Sequence, residues 1–124
     1  MYGDILSDMA AAWGGGLAIS PSVSLGEGVA IAQPVHGWAP DIAGKNIANP
    51  TAAILSVAML LRHQWGRRDL ARRVEEAVRE TFREGSHTSD IMPENAMSTT
   101  AFTERVIVHL ESIMQRANGN SEVY

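Results

Sequence analysis

Apolar positions along the chain fall into stretches with distinct periods. Residues 51–65 carry Ile54, Leu55, Val57, Ala58, Met59, Leu60 and Leu61 on almost every side of a helix, a pattern that predicts burial in a domain interior or an oligomer interface. Residues 69–84 are amphipathic, with Leu70, Val74, Ala77, Val78 and Phe82 on one stripe. The opposite face carries Arg72–Glu76 and Glu75–Arg79 at i,i+4 spacing and reads as a solvated, charge-laced surface. A third helix is predicted from near Ser98-Thr99-Thr100 to about Ala117, with Phe102, Val106, Leu110 and Ile113 at core spacing and a frayed tail from Gly119 onward. Gly66 and Gly85 stop the first two of these helices, and residues 86–97 form a loop bearing Pro and Asn.

The first half is less regular. Residues 2–13, YGDILSDMAAAW, predict a helix with Asp4 or Ser7 as a cap. Gly14-Gly15-Gly16 ends it firmly, because each glycine lowers helix propensity by ~1 kcal/mol. The following LAISPSVSLGEG reads as a turn-rich connector, with Ser20, Ser22 and Ser24 either satisfying turn backbone or hydrogen-bonding a ligand. Val29-Ala30-Ile31-Ala32 alternates small and apolar residues and predicts a strand.

Between that strand and the apolar helix lies QPVHGWAPDIAGKNIANP, residues 33–50. Asn49 is a good N-cap and Pro50 suits the first helical position, where its missing N–H is not needed. A long loop that feeds a helix N-terminus presents free backbone N–H groups and a positive dipole end. Connections of this length are uncommon unless functional or disordered, and Val35, Trp38 and Ile42 argue against disorder. Strand, long ordered loop and helix together suggest a nucleotide site, the alternative being a surface connection that holds no ligand. No GxGxxG or P-loop is present, so such a site rests on a loop outside those fingerprints.

Composition narrows the chemistry. The 124 residues suit one domain, and 45% are apolar, enough for a core. A net charge of −4 gives no footprint for nucleic acid. The absence of cysteine excludes disulfides and thiolate metal sites. No apolar run approaches the ~20 residues that span a membrane, and no secretory leader pattern is visible, so a soluble, cytoplasmic protein is expected.

Asp4 and Asp8 are four residues apart and share a helix face. They read either as a solvated acidic first turn that complements the dipole, or as a pair of oxygen ligands for Mg²⁺ or Mn²⁺ with the remaining ligands supplied from elsewhere. His63, His87 and His109 are scattered and read as surface or interface residues, whereas His36 lies inside the loop beside Gly37.

YGDILSD together with HGWAPDIAGKNIANP resembles the β-decarboxylating dehydrogenases, a family that includes isopropylmalate, isocitrate, homoisocitrate and tartrate dehydrogenases. SPSVSLG, Thr88-Ser89-Asp90 and Ser98-Thr99-Thr100 also look like that family's C-terminal pattern. The resemblance covers essentially the whole chain but only about the last third of a family member. It implies an α/β fold, the C-terminal part of an isopropylmalate-dehydrogenase-like architecture in which a mixed sheet is flanked by helices, with a homodimer as the assembly. It places residues 1–20 at the end of the metal- and substrate-side domain and residues 21–124 in the larger, cofactor-bearing domain.

By the same resemblance Asp4 and Asp8 match metal ligands for Mg²⁺ or Mn²⁺. His36, Gly37, Trp38, Ala39, Pro40, Asp41, Ile42, Ala48 and Asn49 match the adenosine-binding loop for NAD. Asp41 stands where the family accepts hydrogen bonds from the adenine ribose hydroxyls, and Asp41-Ile42 resembles the NAD-using members, NADP users generally carrying Lys-Tyr there. Two positions depart from the pattern: Gln33 replaces a usual Glu, and Trp38 replaces a usual Ser, Thr or Ala. The family's substrate-clamping arginines, catalytic tyrosine and proton-relaying lysine lie upstream of these residues, so no catalytic residue is assigned. The expectation is a C-terminal portion of an enzyme that oxidises and decarboxylates a 2-hydroxy acid, without turnover on its own. The alternative is a non-catalytic truncated relative that pairs with other subunits through its apolar helix.

Overall fold

The computed structural model describes residues 2–119, the side chains of Tyr2, Asp4 and Gly119 excepted. Helix α1 (Tyr2–Trp13) ends at the glycine triplet as expected. Gly15 takes φ 111°, a backbone conformation that side-chain-bearing residues rarely adopt and that favours glycine at this exit. A 3-10 turn (Leu17–Ile19) leads into strand β1 (Pro21–Leu25), which pairs antiparallel with β2 (Ala30–Pro34).

The expected connector is thus partly a strand. Its serines and prolines hid this: Pro21 opens β1 opposite Pro34, at the hairpin's end, where a missing N–H is tolerated. The turn at 26–29 is closed by Gly26 N–H donating to the Val29 carbonyl at 2.9 Å. Val29, expected in the second strand, belongs to this turn, and that strand extends instead through Gln33 and Pro34. Among the described residues the sheet consists of this hairpin, a small part of an α/β architecture.

Helix α2 (Thr51–His63) packs on the hairpin and on α3 (Arg68–Arg83), and α3 packs in turn on α4 (Thr99–Gly119). The expected all-round burial of residues 51–65 is only partial. The fully buried positions of α2 are the small ones, Thr51, Ala52, Ser56 and Ala58, which let neighbouring backbones approach closely. Val57 is half exposed, and Trp65 lies beyond the helix, also exposed.

The core lies between α3 and α4. Ala77, Val78, Phe102 and Val106 are buried there, with Phe82, Leu110 and Ile113 against them. Phe82 and Phe102 meet with ring centroids 5.3 Å apart and planes tilted by 53°, an ordinary aromatic pair. These are the residues that the helical periodicity selects. Gly85 closes α3 at φ 87°.

The charged face of α3 differs from its expected pairing. Glu75 turns to Arg62 on α2, 2.7 Å away, and so joins two helices. Glu76 pairs with Arg79 three residues on and with Arg83 seven residues on along the same helix. Glu84 receives both a bidentate Arg105 contact and His109 Nε2 at 3.1 Å, which ties the end of α3 to α4. The tail beyond Gly119 lies outside the described residues. Among the described residues no helix is long and apolar enough to cross a membrane.

Candidate functional site

Strand β2 delivers the chain into residues 35–50, a loop with little regular structure beyond a 3-10 turn (Pro40–Ile42). Two non-glycine residues in it sit in the left-handed region, Ala39 at φ 41° and Asn46 at φ 56°. Such backbone persists only where the surroundings fix it, and here the fixing groups are visible.

At its end, Asn49 Oδ1 accepts the Thr51 N–H at 3.0 Å. This is the expected capping interaction, with Pro50 already helical at φ −85° and ψ −2°. The other side of the same amide donates from Nδ2 to Asp90 Oδ2 at 3.0 Å, and Asp90 Oδ1 accepts the hydroxyl of buried Thr88. Asn49 is therefore a fixed post between the loop, the start of α2 and the 88–90 segment.

Asn46 forms a second post. Its carbonyl accepts the Thr99 N–H at 3.0 Å, and its side-chain oxygen accepts the Thr100 N–H at 3.1 Å and the Thr100 hydroxyl at 2.9 Å. Thr99 Oγ1 donates to the Ala48 carbonyl. Free N–H groups at the start of α4 are thus satisfied by a loop more than fifty residues earlier in the chain. Ser98 completes that end by accepting the Ala101 N–H.

Between these posts and the 3-10 turn after α1 the chain leaves an open cleft of about 1030 Å³. His36, Gly37, Trp38, Ala39, Ile42, Ala48 and Asn49 line it, which are seven of the nine residues expected in a nucleotide loop. Pro40 and Asp41 lie in the turn between Ala39 and Ile42 and are exposed. Leu17 and Ala18 reach the cleft from the other side, and Asn46, Ser89, Asp90 and Thr99 complete it. His36 Nδ1–H donates to the Gly37 carbonyl at 2.9 Å, an arrangement that leaves Nε2 as an acceptor. No lysine or arginine is among the described residues lining the cleft.

The sequence reading missed Asn46, Asp90 and Thr99 as site-builders. Residues 88–90 and 98–100 carried a family-like pattern, but nothing in their spacing showed that they close on the loop. Gln33 lies in β2 and is not among the lining residues.

The expected metal pair lies only partly within the described residues. Asp8 is exposed on α1 and does not line the cleft, and the Asp4 side chain lies outside the described residues. Among the described residues no three His, Asp or Glu side chains converge as a metal group would require.

Comparison with known proteins supplies the context for this loop. The family model described as isocitrate/isopropylmalate dehydrogenase matches residues 1–106. The chain belongs to that family. It is 50% identical over 113 residues to an isocitrate/homoisocitrate dehydrogenase of Thermus thermophilus, an alignment covering 91% of this chain and 33% of that protein. With a 3-isopropylmalate dehydrogenase of Archaeoglobus fulgidus it shares 56% identity over 91 residues, covering 73% of this chain and 28% of the relative. Among solved structures, an isocitrate dehydrogenase from Methylococcus capsulatus superposes with a TM-score of 0.84 at 44% identity, covering 89% of this chain and 32% of that one. A β-decarboxylating dehydrogenase from Thermococcus kodakarensis, solved in its apo form, gives 0.83 at 40% identity, covering 99% and 34%. The chain therefore spans about a third of the length of the relatives it matches, and its fold is a partial α/β fragment of theirs.

Proposed function

We propose that this chain is the cofactor-bearing C-terminal part of an NAD-dependent, divalent-metal-dependent dehydrogenase that oxidises and decarboxylates a 2-hydroxy acid of the isopropylmalate, isocitrate or tartrate type. The observation that carries the reading is the cleft itself. A volume near 1000 Å³, mostly apolar walls and a few fixed polar groups are what a dinucleotide half requires.

The residues fit that group. Ile42, Leu17 and Trp38 offer apolar surface to a base, while His36, Asn46, Asn49 and Asp90 offer polar edges. Much of Asn49's amide is committed to Thr51 and Asp90, so its part toward a ligand is to hold the wall and to offer what capacity remains. Asp41, exposed in the Pro40–Ile42 turn, would accept both ribose hydroxyls of NAD and repel a 2′-phosphate. When bound, the dinucleotide supplies the hydride acceptor.

For the metal the donor chemistry suits a hard cation but is incomplete among the described residues. Asp4 and Asp8 would contribute carboxylate oxygens to Mg²⁺ or Mn²⁺, whose charge would polarise the substrate's hydroxyl-bearing carbon–oxygen bond. The division at about residue 20 into a metal-side and a cofactor-side part is consistent with α1 packing chiefly on the 3-10 turn that follows it. Homodimerisation is consistent with Ile5, Leu6, Met9 and Trp13, large apolar side chains that α1 leaves exposed. A cytoplasmic location is part of the same reading.

The test is an assay of the protein carrying this chain with NAD and Mg²⁺ or Mn²⁺ against isopropylmalate, isocitrate, homoisocitrate and tartrate. Reduction of NAD with release of CO₂ from one of them is the expected result. No NAD reduction with any of the four, in a protein that binds the metal and is folded, would remove the reading.

A further inference from the structure

Trp38 is the anomaly of the cleft. It is 86% exposed, among the most exposed large apolar side chains described, yet it stands among the lining residues rather than on an unrelated surface. Its backbone is not loose. Ala39 follows in the left-handed region at φ 41°, Pro40 then fixes the entry to a 3-10 turn, and the turn closes with Ile42 N–H donating to the Ala39 carbonyl at 3.2 Å. The cleft keeps about 1030 Å³ with Trp38 among its lining residues. A bulky ring at this place leaves the ligand volume open while presenting a flat apolar face to whatever enters.

The charge of the walls narrows what that is. The lining carries the Asp90 carboxylate and no lysine or arginine among its described residues, and Asp41 stands in the adjoining turn. Phosphate groups would find no cation in this lining. A neutral, planar base with a hydroxyl-bearing ribose matches aromatic, aliphatic and carboxylate neighbours together.

We propose that Trp38 stacks on the adenine ring of the dinucleotide, covering the base from solvent and acting as a specificity-determining contact for an adenine-bearing cofactor. The inference rests on the dinucleotide reading of the cleft and narrows the part of Trp38 in it, from one member of the loop to the ring stacked on the base. Stacking removes water from both the indole and the purine face, and it discriminates by the presence of the base rather than by the phosphates.

The experiment uses ADP-ribose as the probe, with ribose 5-phosphate as the probe lacking a base, titrated by calorimetry into the protein carrying this chain. Trp38→Ser is expected to raise the ADP-ribose dissociation constant by about tenfold, the scale of one lost base–aromatic stack. Trp38→Tyr is expected to stay within about threefold of the parent, because it keeps a ring. Ribose 5-phosphate binding is expected to be the same in all three. With the other tryptophans of that protein replaced by phenylalanine, Trp13 and Trp65 among them, the Trp38 indole is expected to be quenched saturably by ADP-ribose. If ADP-ribose binds but Trp38→Ser binds it as tightly as the parent, the stacking role is overturned while the dinucleotide site stands. If ADP-ribose fails to bind the parent at all, the dinucleotide reading falls and the inference falls with it.

Discussion

Between α3 and α4, Ala77, Val78, Phe102 and Val106 are packed out of water, and the charges above them are matched, Glu84 against Arg105 and Glu76 against Arg79 and Arg83. Along residues 35–50 only Asn49 is buried, and Trp38 and Ile47 face solvent. That loop is held by hydrogen bonds at its posts, Asn46 and Asn49, rather than by a core. The contrast teaches how one small chain divides its labour. Apolar burial is undirected and supplies stability, whereas a few directed bonds fix backbone in sparsely populated conformations and keep a cleft open.

The largest expected effect comes from attacking the packed side. Phe102→Ala removes a fully buried ring from the α3–α4 cluster, and should cost ~3–5 kcal/mol by denaturant unfolding. A cost below ~1 kcal/mol would mean that the α3–α4 layer is not the source of stability.

The posts of the cleft should be less expensive to remove and more local in effect. Asp90→Ala strands the Asn49 amide and the buried Thr88 hydroxyl, and should destabilise by ~1–3 kcal/mol while weakening NAD binding. Asn46→Gly keeps the left-handed backbone but loses the side-chain bonds to Thr100, and should cost ~0.5–1.5 kcal/mol. Hydrogen exchange would show the loss at the first turn of α4 and not in α3. Equal loosening of both helices would break the distinction between the two regions.

The smallest effect is electrostatic. Arg105, opposed by partial burial and helped by Ser86 and His109, holds the Glu84 carboxyl down at about 2. A depressed carboxylate contributes stability at pH above its ordinary value near 4.5, and that contribution is lost as pH falls toward 2. Arg105→Ala should flatten the fall in stability across that window and leave the neutral-pH stability within ~1 kcal/mol, since the pair is partly exposed. An unchanged acid profile would remove Glu84–Arg105 from the account.

How much of this could be read in advance follows the same divide. Helices α3 and α4 were legible because their apolar period, Gly85 and the Ser98-Thr99-Thr100 start are local signals, and the glycine triplet marked the end of α1. Strand β1 was not, since its Ser–Pro content resembles a turn until Ala30–Pro34 lies beside it. The partial burial of α2 was hidden because hydrophobicity marks Val57 and Leu61, whereas close packing selected Ala52, Ser56 and Ala58. In the site, the Asn49–Pro50 cap was visible locally. The bonds from Asn46 to Thr99 and Thr100, and from Asn49 to Asp90, join positions forty and more apart, and no local pattern announces such a meeting. The Glu75–Arg62 pair was missed for the same reason.

The proposed function places the adenosine end of NAD on the Trp38–Asp41–Asn49 side of this chain. The most direct measurement is the pair of dissociation constants for NAD and NADP in the protein carrying this chain, before and after Asp41→Lys. Tighter binding of NAD by the parent is expected, with the preference shifted toward NADP by the variant as a repelling carboxylate is replaced by a cation. An unchanged preference, with the protein folded and the cofactor bound, would contradict it.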